Sequence, residues 1–201
     1  MTKFNLGKYP ITGWCLSKEA LRDLFAEIES HEHGCRIIEF GGGVSSGILS
    51  DYASQSEKSI HIETFEHQPK YLPDIQHGIP RIRELGTCSD EQFDEIFKSG
   101  HIDADSLYPT NPDNQHNAFY RLSNDDIVGF YDICLLDGPN GNGRSLAFPW
   151  MKDHLKRGAM ILVDDFNHYD FEARCAQVIE TSVTKRVELG PSNSYVWLEV
   201  V

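Results

Sequence analysis

The sequence predicts a doubly wound α/β fold: a mostly parallel seven-stranded sheet closed by an antiparallel C-terminal hairpin. Three observations carry that prediction. Short apolar runs alternate with amphipathic stretches five times along the chain, the pattern of βα units around a parallel sheet. The first such run, 36–40, leads into Gly41, Gly42 and Gly43 and then into small polar residues. Glycine gives a tight strand-to-helix turn its backbone freedom and lets a ligand approach closely. Several of the apolar runs end in acids, among them Glu66, Asp137, Asp164 and Asp165.

Composition bounds the reading. A chain of 201 residues fits one domain that buries roughly 70% of its unfolded surface. An apolar content of 40% supports a packed core. The net charge of −13 argues against a nucleic-acid partner, whose affinity is mostly Lys and Arg on phosphate, and against an anionic membrane; a local basic patch is still compatible with it. The five cysteines, Cys15, Cys35, Cys88, Cys134 and Cys175, are widely spaced with no metal-ligand pattern, so free thiols in a reducing compartment are expected. Met1 to Pro10 lacks the apolar core of a signal peptide, and no apolar run is long enough to span a bilayer. The expectation is a cytoplasmic protein, with oligomeric state open.

Residues 1–16 read as an arm with Trp14 as its anchor. Ser17 is placed as N-cap of a helix to about Ser30, with Leu21, Leu24, Phe25 and Ile28 on one face. Together 1–33 form an N-terminal arm and helix of a single domain spanning 1–201. His31 and His33 fit a solvated helix end better than a metal site, since no further ligands lie nearby. The first strand is 36–40, and Ser45 or Ser46 is the expected cap of a helix over 46–55. The second strand, 59–65, ends in Glu66 and His67. An acid about twenty positions past a glycine turn is where a ribose is gripped in such folds; a plain surface carboxylate is the equal alternative.

Pro69, Pro73 and Pro80 punctuate residues 68–80, and 81–85 is a weak third strand. A helix is expected over 90–98. The polar stretch 99–118, interrupted by Pro109 and Pro112, is long enough to suggest a substrate lid. The fourth strand, 132–136, ends in Asp137-Gly138-Pro139-Asn140, and a helix is expected over 145–156. The fifth strand, 160–163, ends in Asp164-Asp165. A helix over 171–181 and two strands, 185–189 and 195–200, complete the chain.

Ligands of such sheets bind beyond the carboxyl ends of the strands. Glu39, Gly41, Gly42, Gly43, Glu66, Asp137, Asn140, Asp164 and Asp165 therefore gather on one rim. A single acid there is a helix cap as readily as a site. Asp137, Asp164 and Asp165 together are hard oxygen ligands suited to Mg²⁺, Mn²⁺ or Ca²⁺, so a divalent cation is expected.

At these residues the chain resembles the class I S-adenosylmethionine-dependent methyltransferases. Glu39-Phe40-Gly41-Gly42-Gly43 resembles that family's first motif, and Thr64-Phe65-Glu66-His67-Gln68-Pro69-Lys70-Tyr71 its second, where the acid holds the ribose hydroxyls. Phe119-Tyr120, with Tyr131-Asp132-Ile133-Cys134-Leu135-Leu136-Asp137-Gly138-Pro139, resembles the stretch before and along the fourth strand in a small-molecule and sugar methyltransferase branch. Lys156-Arg157-Gly158-Ala159-Met160-Ile161-Leu162-Val163-Asp164-Asp165 resembles the turn and fifth strand. The likeness covers nearly all of 34–201. It implies a Rossmann-like methyltransferase fold, S-adenosylmethionine as cofactor, a small-molecule acceptor and O-methylation. It further implies Glu39, Gly41, Gly42, Gly43, Ser45, Glu66, His67 and Asp137 as cofactor-binding residues.

Ser45 departs from the family where a third glycine is common. Asn140 stands where many relatives carry a candidate histidine base, and it cannot abstract a proton. Asp137, Asn140 and His168 are the catalytic candidates, with a metal on Asp137, Asp164 and Asp165 as the expected route to activating a hydroxyl. Two rivals stand beside this reading. An NAD(P)-dependent oxidoreductase would need glycine or alanine where Ser46 stands. A cofactor-binding module without catalysis is the other.

Overall fold

The computed structural model describes residues 4–12, 15–188, 190 and 194–201. Its elements run α1 (Lys18–Ser30), β1 (Gly34–Phe40), α2 (Val44–Gln55), β2 (Ser59–Glu66), β3 (Ile79–Ile82), β4 (Leu85–Thr87), α3 (Asp90–Ser99), β5 (Tyr108–Pro109), β6 (Ala118–Tyr120), β7 (Tyr131–Leu136), α4 (Ala147–Met151), β8 (Leu155–Asp164), α5 (Phe171–Ala176), β9 (Thr181–Glu188) and β10 (Ser194–Val200). The main sheet has seven strands in the order β3-β2-β1-β7-β8-β10-β9. From β3 to β8 neighbouring strands are parallel, and β10 runs antiparallel between β8 and β9. This is the predicted architecture: a mostly parallel seven-stranded sheet closed by antiparallel C-terminal strands. The chain leaves β1 on one side for β2 and returns on the other as β7, so the order reverses beside β1, where such sheets bind ligands.

Strand periodicity sorts the core. In β1, Cys35 and Ile37 join a cluster with Leu21, Leu24 and Ile28 of α1 and Ile48 and Leu49 of α2. Ile38 and Phe40 face the other way, toward Phe93 and Phe97 of α3, Phe148 of α4 and Phe171 of α5. The same alternation runs through β7, β8 and β10, as expected of strands covered on both faces. Each fully buried leucine or isoleucine contributes about 2 kcal/mol.

Local sequence explains most termini. Ser17 Oγ caps α1 by accepting from Ala20 N–H at 3.0 Å. Ser89 and Gln92 form a reciprocal capping box at α3, and Gly100 closes that helix with φ +63°. The N-terminal arm is held by Phe4 packing on Tyr9, Phe25 and Tyr52 and by Tyr9 donating to Asp51 at 2.6 Å. Trp14 lies outside the described residues, as does most of the turn joining β9 to β10.

Several boundaries differ from expectation. The weak third strand is two strands: β3 edges the main sheet, while β4 pairs with β5 and β6 in a small antiparallel sheet. Part of 99–118 is therefore paired chain. Its end is tied to the loop after β7, since Asn117 N–H donates to Asn142 Oδ1 at 2.8 Å and Asn142 Nδ2 donates back to Asn117 Oδ1 at 2.6 Å. The helix expected over 145–156 is a 3₁₀ turn, Asn142–Leu146, and the five residues of α4. Beyond it β8 begins at Leu155. Likewise α5 stops at Ala176. No helix among the described residues is long and apolar enough to cross a membrane.

Candidate functional site

Register places the rim. Phe40 pairs with Phe65 on one side and Leu136 on the other, and Leu136 pairs with Val163. One step on, Asp137 and Asp164 follow as lateral neighbours. Parallel strands lie about 4.8 Å apart, so these two carboxyls meet. Period-two alternation puts Glu39, Glu66, Asp137 and Asp164 on the α1/α2 face of the sheet, at its carboxyl edge.

Glu39 is wholly buried. Its Oε1 accepts from Ser45 Oγ at 2.7 Å, and its Oε2 accepts from Ser46 Oγ at 2.6 Å and Thr64 Oγ1 at 2.7 Å. Burial pushes this carboxyl up, and the three hydroxyls oppose the shift. Neither serine acts as the expected N-cap. Gly43 holds that position, and Ser46 Oγ accepts from Gly43 N–H at 3.1 Å. Glu39 and Ser45 thus brace the glycine turn from beneath.

Glu66 receives three backbone donors: Gly42 N–H on Oε2 at 3.0 Å, and His67 and Gln68 N–H on Oε1 at 2.8 and 2.7 Å. His67 Nδ1 lies 2.9 Å from the same Oε1. The three glycines differ sharply. Gly41 has φ +106°, and a Cβ on it would lie 2.4 Å from Gly138 N, so only glycine lets the two rim loops touch. A Cβ on Gly42 would meet Leu72 at 2.8 Å and Glu66 at 2.9 Å, whereas one on Gly43 would meet nothing within 4 Å. The turn is open on its Gly43 side.

Asp137 and Asp164 act on each other's ionisation, and both carboxyls are raised, so the pair favours keeping a proton. Burial and the Asp164 charge push Asp137 well above the ordinary carboxyl range. Asp164 is pushed up to about 6, by burial first and then by the Asp165 charge. Arg144 opposes both shifts. It is itself buried, donating from Nε to Pro139 O at 3.1 Å and from Nη1 to Asp164 O at 2.9 Å. Sequence reasoning passed over this arginine; the one signal was a cation just before the apolar run 146–151. Asp164 Oδ1 is buried with no hydrogen-bond partner among the described residues. Cys15, on the arm, lies close enough for Asp137 and Asp164 to help raise its thiol, after burial.

The expected metal trio does not assemble. Among the described residues no group of three or more His, Cys, Asp or Glu is placed to hold a metal ion. The strand ends at Asp164, and Asp165 turns into the left-handed region with φ +53°. Both Asp137 and Asp164 are raised, by burial first, so a proton retained on the pair relieves the repulsion that the cation was expected to relieve.

Beyond β7 and β8 lies a cleft of about 310 Å³ lined by Phe93, Asn142, Ser145, His168, Tyr169 and Arg174, among others. A second hollow of about 330 Å³ follows the turn from Phe166 to Ala173. His168 therefore belongs to the cleft walls, on the 3₁₀ turn Phe166–His168. Asn140 is exposed on the loop after β7. Neither hollow lies over the glycine turn.

The chain's own groups fit a ligand carrying positive charge. Acids ring the turn, Arg144 offsets them only in part, and the Asp164 oxygen awaits a donor. S-adenosylmethionine bears a sulfonium and an ammonium against one carboxylate, and it matches that balance.

No protein-family model matches the chain, and none of the curated proteins does. Solved structures do. A putative rRNA methylase from Clostridium thermocellum is 11% identical with a TM-score of 0.49, covering 93% of this chain and 100% of its own. An rRNA methylase from Streptococcus thermophilus is 11% identical with a TM-score of 0.49, covering 92% and 97%. TrmN from Thermus thermophilus is 12% identical with a TM-score of 0.49, covering 90% of this chain but 48% of its own, so the chain spans about half that protein's length. At such values the likeness is no evidence of a shared activity. The expectation of no nucleic-acid partner is nonetheless corrected: several of the matched structures are named as methylases or methyltransferases of rRNA or tRNA. Net charge sums the whole surface and does not decide what one patch binds.

Proposed function

We propose that this chain is an S-adenosylmethionine-dependent methyltransferase that methylates a hydroxyl of a small polar molecule or sugar. The observation that carries the reading is the in-register acid pair beside an open glycine turn. The resemblance of the motifs from Glu39 to Asp165 supports it. NAD(P) is disfavoured because its pyrophosphate would face the Asp137–Asp164 pair.

The bound cofactor would supply the methyl group on its sulfonium. Glu66 and the Gly42–Gly43 backbone would hold its nucleoside half, with Glu39 and Ser45 keeping the turn in shape. The acceptor's reacting hydroxyl would sit between the open glycine turn and Asp164, with the rest of the acceptor extending toward the cleft walled by Tyr169 and His168, a cleft of a size that holds small ligands. Holding a nucleophile in line removes much of the entropic barrier. Asp164 Oδ1 would take the acceptor's hydroxyl proton, a role suited to a carboxylate whose pKa is raised toward neutrality.

Calorimetric titration with S-adenosylhomocysteine and with NAD⁺ tests the cofactor assignment. Binding of the first and not the second is the expected result, and the reverse would end this reading. Methyl transfer from labelled S-adenosylmethionine to a panel of polyols, sugars, phenols and RNA tests the acceptor class. Binding without turnover on every acceptor would leave a binding module.

A further inference from the structure

Tyr120 ends β6 and is wholly buried. Its ring packs against Phe119 at 5.1 Å, Phe40 and His67 at 6.1 Å, and Phe65 at 6.4 Å. Its hydroxyl has no hydrogen-bond partner among the described residues. A Cβ on Gly138 would lie 3.2 Å from that hydroxyl and 2.7 Å from Gly41 Cα. The oxygen therefore lies against the contact between the two rim turns, where neither glycine adds a side chain. Phe65 and His67, at the end of β2, are among its ring neighbours, and the Glu66, Arg144, Asp137 and Glu39 charges act on its ionisation, after burial.

An unpaired buried hydroxyl carries an uncompensated desolvation cost, and each such group in a folded protein calls for an explanation. Phenylalanine would fill the same space without that cost. Burial holds the Tyr120 proton in place, so the group is a neutral donor among acceptors, none of the described ones within reach.

We infer that the Tyr120 hydroxyl is a ligand-binding group that donates to an acceptor atom on the nucleoside half of the cofactor, beside Glu66. The inference rests on the methyltransferase reading above. The test is Tyr120→Phe, with calorimetric titration of S-adenosylhomocysteine and of 5′-methylthioadenosine, which keeps the nucleoside and lacks the amino-acid end. Both ligands should bind about tenfold more weakly to the variant. The ligand-free variant should melt no lower than the parent, because an unpaired hydroxyl is removed and no cavity is made. The ultraviolet difference spectrum on binding should lose its tyrosine component.

Equal affinities in parent and variant would overturn the inference and leave an interior water as the hydroxyl's partner. Weakened S-adenosylhomocysteine with unchanged 5′-methylthioadenosine would overturn the nucleoside assignment. A lower melting point in the ligand-free variant would assign the hydroxyl to the fold and overturn it too. Failure of the parent to bind either ligand would instead remove the methyltransferase reading.

Discussion

Glu39 and Glu66, at the ends of β1 and β2, accept from three hydroxyls and three backbone N–H groups respectively. Asp137 and Asp164, at the ends of β7 and β8, have mainly each other and Arg144, and one Asp164 oxygen has no partner among the described residues. Both places hold a pair of carboxyl side chains. The neighbours differ: α2 and the β2 turn supply donors to the first pair, whereas register brings a second carboxylate to the second. A row of acids on a rim therefore does not mark a site by charge alone. The informative quantity is which lone pairs are already satisfied.

The largest expected effect sharpens that contrast directly. Asp164→Asn should lower kcat about 1,000-fold, while affinity for S-adenosylhomocysteine, which lacks the sulfonium charge, changes little. An unchanged kcat in steady-state assays would move the proton acceptor elsewhere, with His168 the next candidate. Glu39→Ala should act on the other half in the opposite way. It strands three hydroxyls in the core and should lower unfolding free energy by about 3 kcal/mol in urea titration. A loss under about 1 kcal/mol would mean that the turn does not depend on this carboxylate.

The pH response should come from the aspartates. Asp164 is raised in the fold to about 6, so the native state holds a proton that the unfolded chain has released. Its stabilising effect is complete below about pH 4 and is lost as pH rises through about 6, an effect of order 2–3 kcal/mol. Urea midpoints measured across that range should fall in the parent and stay flatter in Asp137→Asn. A midpoint that rises with pH across the window would contradict the retained proton. The smallest effect belongs to Gly43→Ala. With open space around that Cβ, stability should move by no more than about 0.5 kcal/mol, yet cofactor affinity should drop several-fold. Undiminished affinity would show that the ligand does not pass over Gly43.

Much of the scaffold was legible because it is written in short-range patterns. Short apolar runs placed β1, β2 and β7, Ser17 marked the start of α1, and Phe93, Ile96 and Phe97 on one face marked α3. The acids at strand ends followed from the same runs. The features that escaped depend on long-range pairing. Nothing local in 81–85 says that one part joins the main sheet and another a separate one. Lys156-Arg157-Gly158 reads as a turn, yet it continues β8 through an irregular register with β7. The metal trio failed for a geometric reason that adjacency conceals: the backbone leaves the strand at Asp164 and turns left-handed at Asp165, and no three ligands converge among the described residues. Arg144 was missed because a buried cation is visible only once its carbonyl partners are in place.

The proton held on the Asp137 and Asp164 pair has a thermodynamic corollary. A guest that brings positive charge to that spot competes with the proton for the same two carboxyls, so its arrival expels hydrogen ion into the medium. Occupancy and acidity are then linked reciprocally: alkaline solution favours loading, and a loaded molecule resists reprotonation.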